Sequence, residues 1–169
     1  HHTYPFTISS VIHTFNSTWK EEDRDTDQVF IECVGIAKKI IERMIARARD
    51  KFEAKNIVEG VYSKTKDKRI IVLEDNYPAR EVLSAYPEPL FVVRLRKPDN
   101  KWGVESVRVD PKGFKNRKDL PKSWAGKTGD ELQKVSGVKD AVMCHRNLFL
   151  AIAESKEGAI ELAKKALNN

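Results

Sequence analysis

Leu90-Phe91-Val92-Val93-Arg94-Leu95-Arg96, the connector Lys97-Pro98-Asp99-Asn100-Lys101, and Trp102-Gly103-Val104-Glu105-Ser106-Val107-Arg108-Val109 form one continuous stretch of the chain. Two runs rich in β-branched and aromatic residues flank a connector of Pro, Asp and Asn, and this pattern predicts an antiparallel hairpin. With the period of two of a strand, Arg94 and Arg96 share one face of the first run. Trp102, Val104, Ser106 and Arg108 share a face of the second.

Upstream of the hairpin, Arg69-Ile70-Ile71-Val72-Leu73 reads as a strand, ended by Glu74-Asp75-Asn76. Pro78 to Tyr86 reads as a short helix with Pro in its first turn and Val82 and Leu83 inward; Pro87 and Pro89 break it. Downstream, residues 110–127 form a long loop, a length that in a compact domain is often functional. Thr128 and Glu131 stand at capping-box spacing before a short helix stopped by Ser136-Gly137. Ala141-Val142-Met143-Cys144 and Leu148-Phe149-Leu150-Ala151-Ile152 are two further strands, joined by the polar turn His145-Arg146-Asn147. Ser155 caps a terminal helix whose inward side is Ala159, Ile160, Leu162, Ala163 and Leu167. The sum is an α/β (or α+β) fold: a mixed sheet of about five strands packed with helices.

A long helix precedes it. Asp25-Thr26-Asp27-Gln28 supplies cap candidates, with Gln28 three residues after Asp25, and an apolar stripe follows at Val29/Phe30, Cys33/Val34, Ala37, Ile40/Ile41, Met44/Ile45, Ala48 and Phe52. The expected length is roughly 25 residues, and the stripe is expected to lie against a sheet, another domain or a second subunit. A shorter helical segment with Val11, Ile12 and Phe15 inward, capped by Ser9 or Ser10, comes before it, and a polar loop around Trp19 joins the two. The boundaries expected are a helical segment over 1–55 and an α/β domain over 56–169, within one compact whole.

Composition narrows the function. The chain has 169 residues, 40% hydrophobic and 33% charged, a folded rather than a disordered balance. Residues 94–127 hold eleven Lys/Arg and four Asp/Glu, whereas the whole chain carries a net charge of only +6. Positive charge concentrated this way points to a partner with phosphates, with a solvated surface as the alternative. Cys33 and Cys144 lie in apolar runs and read as reduced core thiols of a cytoplasmic protein. No apolar run approaches a membrane span and no signal peptide is visible. His1 and His2 read as the remnant of an expression tag.

Strong catalytic signatures are missing. There is no nucleophile elbow, Walker loop, dinucleotide fingerprint or His-Glu-x-x-His, and beyond the first two residues only His13 and His145 remain. No metal or other cofactor is therefore expected to be held by this chain. His145, Arg146 and Asn147 are the best polar constellation: an imidazole, a guanidinium and an amide suit a phosphate or a base edge, and an exposed turn with Asn147 in a special dihedral is the alternative. Around them, Arg94 and Lys101 at the hairpin and Lys115, Arg117 and Lys118 in the loop are the candidate phosphate contacts. Trp124 reads either as a stacking platform or, more simply, as a core plug that anchors the loop beside Leu120 and Pro121.

The segment Leu120 to Leu132, the run Val135-Ser136-Gly137-Val138-Lys139-Asp140-Ala141, His145 with Phe149, and Glu157-Gly158-Ala159-Ile160 with Ala163 resemble the C-terminal part of the melanocyte proliferating gene family. Phe15-Asn16-Ser17-Thr18-Trp19, Asp27 with Phe30, and Trp102 with Val104 and Val107 are similar to earlier elements of that family. The resemblance implies a metal-dependent phosphoesterase distantly related to the DHH superfamily, a 3′ to 5′ exonuclease acting on RNA or oligonucleotides. It also implies that this chain is the downstream, substrate-side domain alone, the catalytic half with its divalent metal (Mn or Mg) lying in an N-terminal domain absent from this sequence. Where the family carries glycines after its histidine, this chain has Asn147-Leu148-Phe149-Leu150-Ala151, so Arg146 is the expected replacement for a phosphate-cradling backbone. Two readings stand beside this one: a stand-alone nucleic-acid-binding module, and a structural domain that forms a homodimer through the long helix.

Overall fold

Five strands form one sheet in the order β1-β2-β3-β5-β4, built from β1 (Ile70–Leu73), β2 (Phe91–Arg96), β3 (Lys101–Ser106), β4 (Ala141–Cys144) and β5 (Leu150–Ala153). In this computed structural model, residues 7–21 and 24–169 are described. The tag-like His1 and His2 lie outside the described residues. β1 and β2 pair in parallel through a crossover that contains α3 (Arg80–Ser84), and every other pairing is antiparallel. The sheet is mixed, as expected. The predicted hairpin is β2–β3, with Arg94 opposite Gly103 and Arg96 opposite Lys101.

Side chains alternate across the sheet and so build two cores. Phe91, Val93, Val104, Ala151 and Ala153 face α4 (Gly129–Ser136) and α5 (Lys156–Leu167), packing with Leu132, Ala159, Leu162, Ala163 and Ala166. Ile71, Leu73 and Val92, on the opposite face, pack with Val58 and Tyr62 of the long helix and Leu83 of α3. The half of that second face nearest β5 carries no helix among these contacts, and the candidate site lies there.

The chain divides into two units, His1–Asp50 and Lys51–Asn169. The first contains α1 (Ile8–His13) and the start of α2 (Thr26–Lys64). Thr7, rather than Ser9 or Ser10, is the N-cap of α1; Ser10 completes the reciprocal capping box. At the start of α2, the Asp25 carboxylate accepts the Asp27 and Gln28 amides at 3.0 and 3.1 Å, as the sequence predicted. The helix then runs for 39 residues, well past the expected length, because no proline occurs between Thr26 and Lys64. Its buried side chains are Ala54, Val58 and Tyr62, in its last three turns. The predicted stripe is not buried: Phe30, Val34, Ile41, Met44, Ile45 and Phe52 are all exposed.

Two local expectations change in detail. Thr128 occupies the N-cap of α4 in extended geometry but makes no side-chain cap bond, so the capping box is absent. In the β4–β5 turn the left-handed residue is Leu148 (φ 58°), not Asn147. Its backbone is held there because its N–H donates to the His145 carbonyl at 2.8 Å and its own carbonyl accepts from Leu120 at 2.9 Å. The long basic loop is ordered by an isolated bridge between Arg108 and Asn116 and by a 3₁₀ turn, Lys122–Trp124. Trp124 is 1% exposed and plugs the larger core.

Candidate functional site

A cavity of about 540 Å³ opens on the uncovered half of the sheet. Val92, Val107, Leu83 and Leu150 give it apolar walls, and Arg80, Arg94, Arg108 and Lys51 bring cations to it, with Glu81 and Glu105 among them. Phe149 also lines it.

The charges divide into engaged and available groups. Arg94 donates to Glu105 Oε1 from Nε (3.0 Å) and Nη2 (2.6 Å) and to the Tyr77 carbonyl from Nη1 (3.1 Å). Arg94 lies opposite Gly103, and Glu105 is two residues further along β3, so strand register aims both side chains at the same face. Lys51 pairs with Glu81 at 2.6 Å, which holds the Glu81 carboxyl below the usual carboxylate range, first through the hydrogen bond and then through charge. Arg80 is exposed at the rim.

Phe149 organises the other edge. Its ring centroid lies 4.4 Å from the His145 ring, tilted by 48°, and 5.3 Å from Arg108 Cζ. Arg108 is steadied by a hydrogen bond to the Phe114 carbonyl. His145 Nδ1 accepts the Asn147 amide at 3.1 Å, which leaves Nε2 to carry the ring proton as a donor. Imidazole, phenyl and guanidinium thus form one cluster where the β4–β5 turn meets the cavity. Two donors beside an aromatic face suit a phosphate flanked by a base.

The predicted residues fare unequally. His145 joins the cavity edge through Phe149. Arg146 and Asn147 are exposed on the same turn, and Asn147 supplies the backbone bond that orients His145. Arg94 lines the cavity but is held by Glu105. Lys101 sits at the far end of β3, four residues from Glu105, or roughly 13 Å of strand, and is ion-paired with Glu154 at 2.5 Å. The structure does not bring it to His145. Arg117 turns inward, donating to the carbonyls of Ser84 (2.7 Å), Pro89 (3.1 Å) and Tyr86. Lys118 Nζ donates to the Leu167 carbonyl at the end of α5 (2.9 Å). Lys115 is exposed. Sequence reasoning had not named Arg108 as a site residue, and it used Phe149 only for its resemblance. Period-two alternation placed Arg108 with Trp102 and Val104, but β3 ends at Ser106, and the bridge to Asn116 redirects the chain.

Among the described residues, no group of three or more His, Cys, Asp or Glu side chains is placed to hold a metal ion. The described residues therefore do not fit the divalent metal that the family resemblance implies.

Fold and site together define a mixed-sheet α/β domain with a cationic cavity edged by an aromatic ring. The family model described as MYG1_exonuc, Uncharacterised protein family (UPF0160), matches residues 2–167, and the chain belongs to that family. It is similar to the MYG1 protein C694.04c of Schizosaccharomyces pombe (25% identical; 95% of this chain, 52% of the relative) and to the MYG1 protein C27H6.8 of Caenorhabditis elegans (29%; 95% and 52%). It is also similar to the MYG1 exonuclease of Homo sapiens (24%; 95% and 46%). The chain thus spans about half the length of these relatives. No solved structure matches it significantly.

Proposed function

We propose that this chain is the substrate-binding half of a nuclease, holding an RNA or oligonucleotide strand in the cavity while a metal-dependent half outside this sequence cleaves it. The observation that carries the reading is the His145–Phe149–Arg108 cluster at the edge of a cationic cavity, in a chain whose family includes relatives named exonuclease. In this reading Phe149 stacks a base, Arg108 and His145 Nε2 donate to the adjoining phosphate, and Arg146, Asn147 and Lys115 supply outer contacts. The Arg94–Glu105 pair shapes the wall and presents fixed polarity. The 3′ to 5′ direction and a Mn or Mg cofactor in the missing half belong to the same proposal, on the strength of the resemblance.

The test is binding of a labelled single-stranded RNA by fluorescence anisotropy. Phe149→Ala and Arg108→Ala are each expected to weaken binding about tenfold, within the range of one stacking or phosphate contact. Lys101→Ala, remote from the cavity, is expected to change it less than about twofold. Equal losses at all three positions, or none at Phe149 and Arg108, would reduce the cavity to a bystander.

A further inference from the structure

One side of the stripe that the sequence marks on α2, with Ile31 beside it, lies in water. Phe30 is 68% exposed, Ile31 62%, Ile41 55% and Met44 61%, with Val34 and Ile45 close behind. At 100° per residue these six lie within an arc of roughly 140°, along roughly 23 Å of helix. Val29, Cys33, Ile36 and Ile40, on the adjoining face, are already half-buried. Soluble chains seldom leave a continuous apolar surface above roughly 300–600 Å² without a partner. Six large side chains in one stripe are a partner surface of that order.

The charges around the stripe select the partner. Among the charges that flank the stripe at 100° per residue, Asp27 lies toward the start of the helix and Arg49 toward residue 50. Lys38 and Glu42, one turn apart, border the same edge of the stripe. A parallel copy would set acids against acids and bases against bases. An antiparallel copy about a two-fold axis near residue 40 sets Asp27 of each chain toward Arg49 of the other. It also brings Lys38 of each chain to Glu42 of the other, twice, and opposes the helix dipoles. The two-fold closes the assembly, because the same stripe serves both partners.

We propose that a second copy of this chain covers the stripe, antiparallel, with the dyad near Ile41 and reciprocal Lys38–Glu42 pairs. This inference uses residues of the first unit alone and stands whether or not the cavity binds RNA. Light scattering with size exclusion on the 169-residue chain tests it. The expected mass is twice 19.3 kDa, falling to the single-chain mass in Ile41→Glu with far-UV circular dichroism unchanged. Lys38→Glu is expected to weaken the dimer at least tenfold, and Lys38→Glu combined with Glu42→Lys to restore it, which a parallel pair would not show. A single-chain mass from micromolar to near-millimolar concentration would overturn the proposal. A dimer that survives Ile41→Glu, or a double charge swap that fails to rescue, would overturn it equally.

Discussion

Arg117 is one of the cations that make residues 94–127 basic, yet its guanidinium is consumed by three carbonyls from the segment around α3. A planar fork with several donors can satisfy carbonyls that no other group reaches; a lysine ammonium presents its donors from a single point. Arg117→Lys is therefore expected to destabilise the chain by about 2 kcal/mol or more, since partly buried carbonyls lose charged donors. Urea unfolding measures this, and RNA affinity in the folded state should stay within about twofold of the parent. A stable variant with weakened binding would return Arg117 to the interface. Trp124 follows the same logic on the apolar side: at 1% exposure, its truncation to alanine should cost about 3–5 kcal/mol. At this scale the sequence identifies a residue's chemistry but not its direction. Lys118 and Arg117 read like Lys115 until a carbonyl is found in front of each.

At the scale of elements, two junctions hold the sheet to its helices. Ser155 caps α5 by accepting the Gly158 amide at 3.0 Å, while Asp140, at the head of β4, accepts the Ser155 amide at 2.9 Å and its hydroxyl. A methyl on Gly158 would come within 1.9 Å of the Asp140 carboxylate. Gly158→Ala should therefore displace Asp140 and cost about 1–2 kcal/mol, the worth of a cap. In an Asp140→Ala background the same change should cost clearly less, a coupling that a double-mutant cycle reads directly. Additive losses would show that the glycine serves something else. The second junction joins the end of α2 to the segment after α3. Tyr62 stacks on Tyr86 at 4.0 Å and donates to Glu88 at 2.8 Å. Burial, and then the bond to Glu88, push the Tyr62 hydroxyl up to about 12. A phenol that ionises near 10 when unfolded but near 12 when folded keeps the native chain more protonated between those values. Its contribution to stability is whole below pH 10 and is lost as pH rises toward 12. Absorbance titration should show one of the four tyrosines ionising last, and Tyr62→Phe should remove that phase. Titration of all four together near pH 10 would contradict the burial.

For the whole molecule, the expected behaviour is binding without cleavage. On the proposed reading, in which cleavage belongs to a half outside this sequence, the purified chain should bind single-stranded RNA with affinity that falls as salt rises, and should leave it intact with manganese present. Cleavage abolished by a substitution within the chain would show that the reaction is carried here, and salt-independent binding would remove phosphate contact from the account. Much of this molecule is legible from local pattern. Strands from Ile70 to Leu73, Phe91 to Arg96 and Ala141 to Cys144 follow from short apolar runs and their punctuation, and the Asp25 cap and the Ser155 cap follow from residue type and spacing. Those are short-range effects, set by a few neighbouring dihedrals and hydrogen bonds, and one sequence determines them. Tertiary structure decided the rest. It buried Val58 and Tyr62 rather than the more apolar stripe before them, because burial requires a facing surface and β1, β2 and α3 supply one to these residues. It turned Arg117 and Lys118 toward carbonyls that lie tens of residues away in the chain, and it brought both His145 and Arg108 to the Phe149 ring. Whether a side chain becomes ligand, plug or clamp depends on what the fold places opposite it, and that is a long-range property no local pattern contains.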